Sequence, residues 1–186
     1  WSFAPHDISI FNYLTNQNPV NVTSSGGAFL QAHIHDTTMT TLSYPNNIIS
    51  HIFVSWLHPF KEHRIVVIGS KGMLSYEDSS DTKELLFYEK GIDWVNGEPI
   101  KRDGHTETIP YKEGAPLQLE LQHFMECIEG KDTNNLINGE SGLDVLHVLE
   151  KAEKSLHEKP KAPKAQNLNP SVFIHTTSHI DTNVRI

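Results

Sequence analysis

The chain predicts an α+β domain in which helices cover one face of a mainly antiparallel, open-faced sheet. Three observations carry that expectation. Between residues 20 and 77, short runs rich in β-branched and aromatic side chains alternate with turn formers such as Gly26-Gly27, Pro45-Asn46-Asn47 and Gly69-Ser-Lys-Gly72. The links between these runs are too short to hold crossover helices, so neighbouring strands run antiparallel. From Pro116 onward the apolar spacing changes to the helical period, and strands followed by helices, without strict alternation, are the mark of the α+β class.

The elements follow in order. Ile8, Phe11 and Leu14 share one helical face, so an opening helix is expected, with His6 and Asp7 in its first turn. Strands are expected over 20–24, 28–35, 37–44, 48–56, 64–70 and 73–77. Within 28–35, Leu30, Ala32 and Ile34 alternate with Gln31, His33 and His35, which predicts one buried and one polar face. Further edge strands are expected over 85–88 and 108–111, whereas 91–104 has mixed polarity without a period and reads as loop. Pro116 suits the first position of a helix whose Leu117, Leu121, Phe124, Met125 and Ile128 form a stripe ended by Gly130. A second helix is expected from about Ser141, packing through Leu143, Leu146, Leu149, Ala152 and Leu156. The other sheet face is left for water or a second subunit.

Composition narrows the function. With 186 residues, 37% of them hydrophobic, the chain can bury one sizeable core. The formal net charge of −8, without a basic cluster, argues against nucleic acid as a partner. Cys127 is the single cysteine, so no internal disulfide forms and a reducing, cytoplasmic setting is expected; an inert buried thiol is the more common state of such a residue. Asn21-Val-Thr23 matches a glycosylation acceptor, read as a chance match because no signal peptide or membrane-length apolar run accompanies it. Gly69-Ser-Lys-Gly72 joins two strands and therefore reads as a hairpin turn, not a phosphate loop. His33 and His35 lack a third ligand, so no metal site is expected.

Three stretches, Ala4-Pro-His-Asp-Ile-Ser-Ile10, Ser55-Trp-Leu-His-Pro-Phe-Lys-Glu-His-Arg64 and Val67-Ile-Gly-Ser-Lys-Gly-Met-Leu-Ser75, together resemble the C-terminal domain of the Gfo/Idh/MocA oxidoreductase family. The likeness is nearest to nucleotide-sugar 3-dehydrogenases of surface-polysaccharide and lipopolysaccharide biosynthesis. It runs from Trp1 to about Pro160 and takes in Pro116-Leu, Phe124, Gly130-Lys131, Gly142-Leu-Asp-Val-Leu, Leu149-Glu, Ala152 and Ser155. The resemblance implies a Rossmann domain upstream of Trp1 that binds NAD or NADP. This chain has no G-x-G-x-x-G fingerprint, so no cofactor-binding residue is expected in it and by itself it is expected to be inactive.

The resemblance also suggests roles. His6 matches the family's histidine, expected as general base or as its hydrogen-bonding assistant, since a neutral imidazole accepts a hydroxyl proton near pH 7. The family's acid stands four residues earlier, where this chain has Ser2. Asp7 is the nearest carboxylate and is expected among the substrate-binding residues, and the sequence leaves open whether it replaces that acid or caps the helix. The loop carrying Trp56, His58 and Lys61 is placed near the substrate, with Trp56 stacking on a base or sugar ring and Lys61 meeting a phosphate or carboxylate; a core tryptophan and a solvated lysine are the plainer alternatives. The expected partners are a nucleotide-sugar substrate and further copies of the chain through the open sheet face, with no membrane.

Residues 1–158 are thus read as the substrate-binding and oligomerisation domain, 159–171 as a linker, and 172–186 as the start of a left-handed β-helix. In that last piece Ile174, Ile180 and Ile186 recur every six residues. Phe173-Ile-His-Thr-Thr-Ser-His-Ile-Asp resembles the first coil of hexapeptide-repeat acyltransferases, which implies a parent fused to an N-acyltransferase. Two other functions stay open: a non-catalytic module that tethers such an acyltransferase, and an oxidoreductase domain acting on a free sugar or polyol.

Overall fold

In the computed structural model, which describes residues 2–131 and 138–158, the chain opens with α1, Ala4–Thr15. Proline in its first turn suits the helix start, and Asn16, left-handed at φ 51°, ends it. Ile8 is 1% exposed, Ala4 is buried and Phe11 packs against the core, but Leu14 is 55% exposed. The buried sector is centred on Ala4, Ile8 and Phe11. At about 100° per residue Leu14 falls roughly 80° away from Ala4, outside it.

Strands β1 (Asn21–Gly27), β2 (Thr37–Ser43) and β3 (Ile49–Ser55) form an antiparallel sheet in that order. The register sets Val22 opposite Leu42 and Thr40 opposite Ile52, so alternate side chains of all three strands point to one face. On that face lies α3 (Gly139–His157), the last helix in the chain, through Val148, Leu149 and Ala152. Asn138 caps α3 reciprocally with Ser141, which starts it two residues before the expected position. Leu143 and Leu146 are exposed, so the packing face of α3 is turned from the expected stripe toward Val148. Two polar ties fasten the helices to the sheet: Ser155 Oγ accepts the Ser24 amide at 2.9 Å, and the Tyr44 hydroxyl donates to Asn12 Oδ1 at 3.0 Å.

The expected strand over 28–35 is absent. Instead Phe29 and Leu30 donate their amides to one oxygen of Asp36, at 2.6 and 2.7 Å, which folds the segment into a compact loop between β1 and β2. His33 sits there at φ 69°, and Leu30 and Ile34 are exposed. The alternation in the sequence reports the register of a strand that the Asp36 carboxylate prevents.

The remaining strands build a second sheet and a hairpin. Strands β4 (Arg64–Gly69), β5 (Gly72–Glu77), β6 (Leu85–Tyr88) and β9 (Thr106–Thr108) pair antiparallel in that order, with Gly69 opposite Gly72 across the expected two-residue turn. The last strand lies earlier than 108–111 and shares only Thr108 with it. The segment read as loop contains the β7 (Gly91–Val95) and β8 (Glu98–Arg102) hairpin. Its turn is Asn96-Gly97 with φ of 53° and 83°, the pair of left-handed residues that a type I′ turn requires. Helix α2 (Pro116–Ile128) forms as expected, yet Leu117, Leu121, Phe124 and Ile128 are exposed and none of its residues is buried. Cys127 is half-buried, and His123 one turn earlier brings its ring Nε2 to 3.7 Å from Sγ. The expected linker, 159–171, and tail, 172–186, lie outside the described residues.

Candidate functional site

The first turn of α1 and the loop between β3 and β4 meet at one end of the three-stranded sheet. The Phe3 ring packs on Trp56 with centroids 4.8 Å apart, which fastens the start of α1 onto that loop. Trp56 is itself held by its amide, which donates to the Asp36 carbonyl at 2.8 Å, and its side chain stays 63% exposed. It is a surface ring on a fixed backbone, not a core side chain.

His6 is exposed on α1, and Asp7 beside it is half-buried. Burial pushes the Asp7 carboxyl above the ordinary carboxylate range, while His63 and, less strongly, His6 pull it back. Ser2 is exposed, and Asp7 is the carboxylate that stands with His6. Lys61 is exposed and acts on Asp78 through its charge. His58 is engaged inside its own loop: Nδ1 donates to the Phe60 carbonyl at 2.8 Å, and Nε2 lies 3.8 Å from Glu62 Oε2. The structure therefore groups Asp7 with His6 and sets Trp56 beside the start of the same helix, but it turns His58 toward the loop.

Sequence reading missed His63 and Asp78. The imidazole of His63 lies 4.0 Å from Asp78 Oδ2, and Asp78 Oδ1 accepts from Lys83 at 2.9 Å. That hydrogen bond holds the exposed Asp78 carboxyl below the ordinary range. His63 stood within the stretch that carried the family likeness, but no periodicity marks which way a loop residue faces. His33 does not share a strand face with His35, whose ring instead meets that of His157 at 6.0 Å. Among the described residues no group of three or more His, Cys, Asp or Glu is placed to hold a metal.

Two shallow concavities, of about 270 and 230 Å³, lie away from this cluster, beside Asn18 and Asp144 between the end of α1 and α3. They hold none of the expected site residues. The cluster itself is an open wall.

Comparison with known proteins bears on what such a wall belongs to. Residues 1–75 match the GFO/IDH/MocA C-terminal domain family. The match takes in α1, the first sheet, the loop with Trp56 and Lys61, and most of β5. Solved structures agree on the fold. UDP-N-acetylglucosamine 3-dehydrogenase GnnA from Acidithiobacillus ferrooxidans is 20% identical with a TM-score of 0.68, over 82% of this chain and 46% of its own. WlbA dehydrogenase from Bordetella pertussis, in complex with NADH and UDP-GlcNAcA, is 18% identical with a TM-score of 0.55, over 82% and 40%. Aldose-aldose oxidoreductase from Caulobacter crescentus, complexed with glycerol, is 20% identical with a TM-score of 0.58, over 82% and 43%. The chain thus spans about half the length of these structures, and its fold is that of the Gfo/Idh/MocA C-terminal domain. No curated protein sequence matches the chain significantly. Among the described residues no helix is long and apolar enough to cross a membrane.

Proposed function

We propose that this chain is the substrate-binding and oligomerisation domain of an NAD(P)-dependent oxidoreductase that oxidises a hydroxyl of a nucleotide sugar in polysaccharide biosynthesis. The observation that carries this reading is the family match over residues 1–75, which covers both His6 and the loop from Trp56 to His63. A nicotinamide, held by a domain outside this chain, would supply the hydride acceptor. His6, exposed at the edge of the wall, takes the hydroxyl proton as the carbonyl forms, with Asp7 as its carboxylate partner. The Trp56 ring offers a flat apolar face to a base or sugar, and Lys61 offers a cation to a phosphate. His58 serves as a loop brace that shapes this surface.

Association through the open sheet is supported by Val66 and Ile68, exposed apolar neighbours on one face of β4. The fusion to an N-acyltransferase rests on the residues of 172–186, and this domain would then feed an oxidised sugar toward amination and acylation.

The test is turnover of the protein carrying the preceding nicotinamide-binding domain, with a UDP-sugar as substrate and reduced nicotinamide as the readout. His6→Ala should lower kcat by about 10²–10⁴-fold, the usual worth of a positioned acid or base. Unchanged turnover would remove His6 from the chemistry, and absence of turnover on any nucleotide sugar, with turnover on a free sugar or polyol, would replace the substrate class.

A further inference from the structure

We propose that Asp36 is a positioning residue of this site: its buried carboxylate ties the loop 28–35 to the end of the first sheet and so holds Trp56 at a fixed place beside the start of α1. The inference rests on the reading of Trp56 as the ring that receives a base or sugar, and it adds the residue that sets that ring.

The geometry begins with the sheet. The register sets Gly27 opposite Thr37 and Thr37 opposite Ser55, so the loop that follows β1 and the loop that follows β3 leave the sheet at the same end, with Asp36 between them. Asp36 extends the ladder by one residue on each side. Its amide donates to the Gly27 carbonyl at 3.0 Å, and its carbonyl accepts from the Trp56 amide at 2.8 Å. Thr37, the next residue, pairs its hydroxyl with Ser55 Oγ at 2.7 Å, and the same Ser55 Oγ accepts the Leu57 amide at 3.1 Å. The backbone on both sides of Trp56 is thus fastened, directly or through Ser55, to Asp36 and Thr37, and it does not follow the rest of its loop.

Asp36 is kept in that place by its own side chain. It is 7% exposed, and Oδ2 accepts the amides of Phe29 and Leu30 at 2.6 and 2.7 Å. Short bonds to a charged acceptor are the strong ones, and a carboxylate taken out of water needs such donors. They fold the loop back over the sheet end, where the Phe29 ring lies so close to Gly27 that a side chain at that position would meet it. The loop's internal backbone bond, from the Ile34 amide to the Gln31 carbonyl at 3.2 Å, does not reach the sheet. The ring set by Asp36 in turn carries α1: Phe3 packs on Trp56 at 4.8 Å, and His6 stands three residues further on, in the first turn of that helix. Asp36 therefore acts on the spacing between the Trp56 ring and the His6 imidazole through Trp56 and Phe3, which makes it a positioning residue and not a catalytic one.

The experiment has one readout without turnover and one with it. In the chain labelled with fluorotryptophan, the fluorine resonance of Trp56, assigned by its loss in Trp56→Phe, is followed in Asp36→Ala and Asp36→Asn, with amide spectra confirming the fold; Asp36→Ser, too short to reach both amides, replaces the alanine variant if that one does not fold. Asp36→Ala should shift and broaden the Trp56 line and leave that of Trp94 in place, and Asp36→Asn, which keeps an acceptor oxygen, should return it toward the wild-type position. A Trp56 line unmoved by Asp36→Ala, or moved no more than that of Trp94, overturns the proposal. In the protein carrying the nicotinamide-binding domain, with UDP-N-acetylglucosamine as probe, Asp36→Ala should raise KM about three- to tenfold, the worth of one ring stack, and add no further rise in a Trp56→Ala background. No rise where Trp56→Ala gives one, or a rise undiminished without Trp56, also overturns it. An unchanged KM in Trp56→Ala itself would instead remove Trp56 from substrate binding, and the fluorine spectra would still decide whether Asp36 sets the ring.

Discussion

The half of the molecule formed by α1, β1–β3 and α3 buries Ile8, Val22, Leu42, Ile52, Val148 and Leu149 in one continuous core, whereas the half formed by β4–β9 and α2 leaves Val66, Ile68, Leu121 and Phe124 exposed. Both halves are rich in aliphatic and aromatic side chains, so composition does not separate them. Closure does. In the first half two helices cover one sheet face and a polar tie at each helix sets their position. In the second half the apolar run Val66-Val67-Ile68 points to both faces of a sheet that α2 does not cover. Such runs suit a strand enclosed on both sides. The candidate site lies on the seam, with His6 and Asp7 from the closed half and Trp56 and Lys61 on the loop that leads from β3 to the open one.

That contrast can be broken most directly with paired truncations. Leu42 is 0% exposed and Ile68 is 75% exposed. Leu42→Ala should cost about 3 kcal/mol in urea unfolding, and Ile68→Ala within about 0.5 kcal/mol. Equal losses would show that Ile68 is covered when the chain is in solution, and a concentration-dependent midpoint would identify a second copy as the cover.

A smaller effect tests the end of the closed half that carries Trp56. Asp36 is buried, accepts two amides through one oxygen, and has its other oxygen without a partner. Asp36→Ala should cost about 2 kcal/mol and raise hydrogen exchange at Phe29 and Leu30, since two amides lose a charged acceptor. Exchange unchanged at these two amides would mean that the loop is shaped by something other than the carboxylate.

The smallest effect concerns Asp7. Burial raises its folded carboxyl above the unfolded value near 3.8, so the native state binds the proton more readily. The wild type should therefore gain stability relative to Asp7→Asn as pH falls from 7 through the raised folded value toward 3.8, and lose it again as pH rises. Thermal melts of both proteins across that window check the sign. Parallel curves would show that the two states hold the proton equally.

Much of this was legible from residue order. Strand-forming runs and Gly or Asn turns located the strands of the first sheet and the hairpin of β4 and β5, because pairing across a short turn is a local matter. The Asn96-Gly97 turn is equally local, but the mixed polarity of its flanks leaves no period to mark the two strands. The failures share a different cause. Residues 28–35 alternate as a strand should, but a carboxylate downstream captures their amides. Leu14, Leu143, Leu146 and the stripe of α2 have helical spacing, but spacing does not say which face meets a neighbour.

The site shows the same division. His6, Trp56, His58 and Lys61 are suggested by likeness to a family pattern, which depends on residue type and order, and Asp7 by its place beside His6. That Phe3 fastens Trp56 and that His58 turns into its own loop were decided only by the tertiary structure. Local backbone preferences and turn chemistry act over a few residues and can be read in one dimension. Electrostatic and packing partners are chosen by distance in space, which the chain acquires only once its first core has closed.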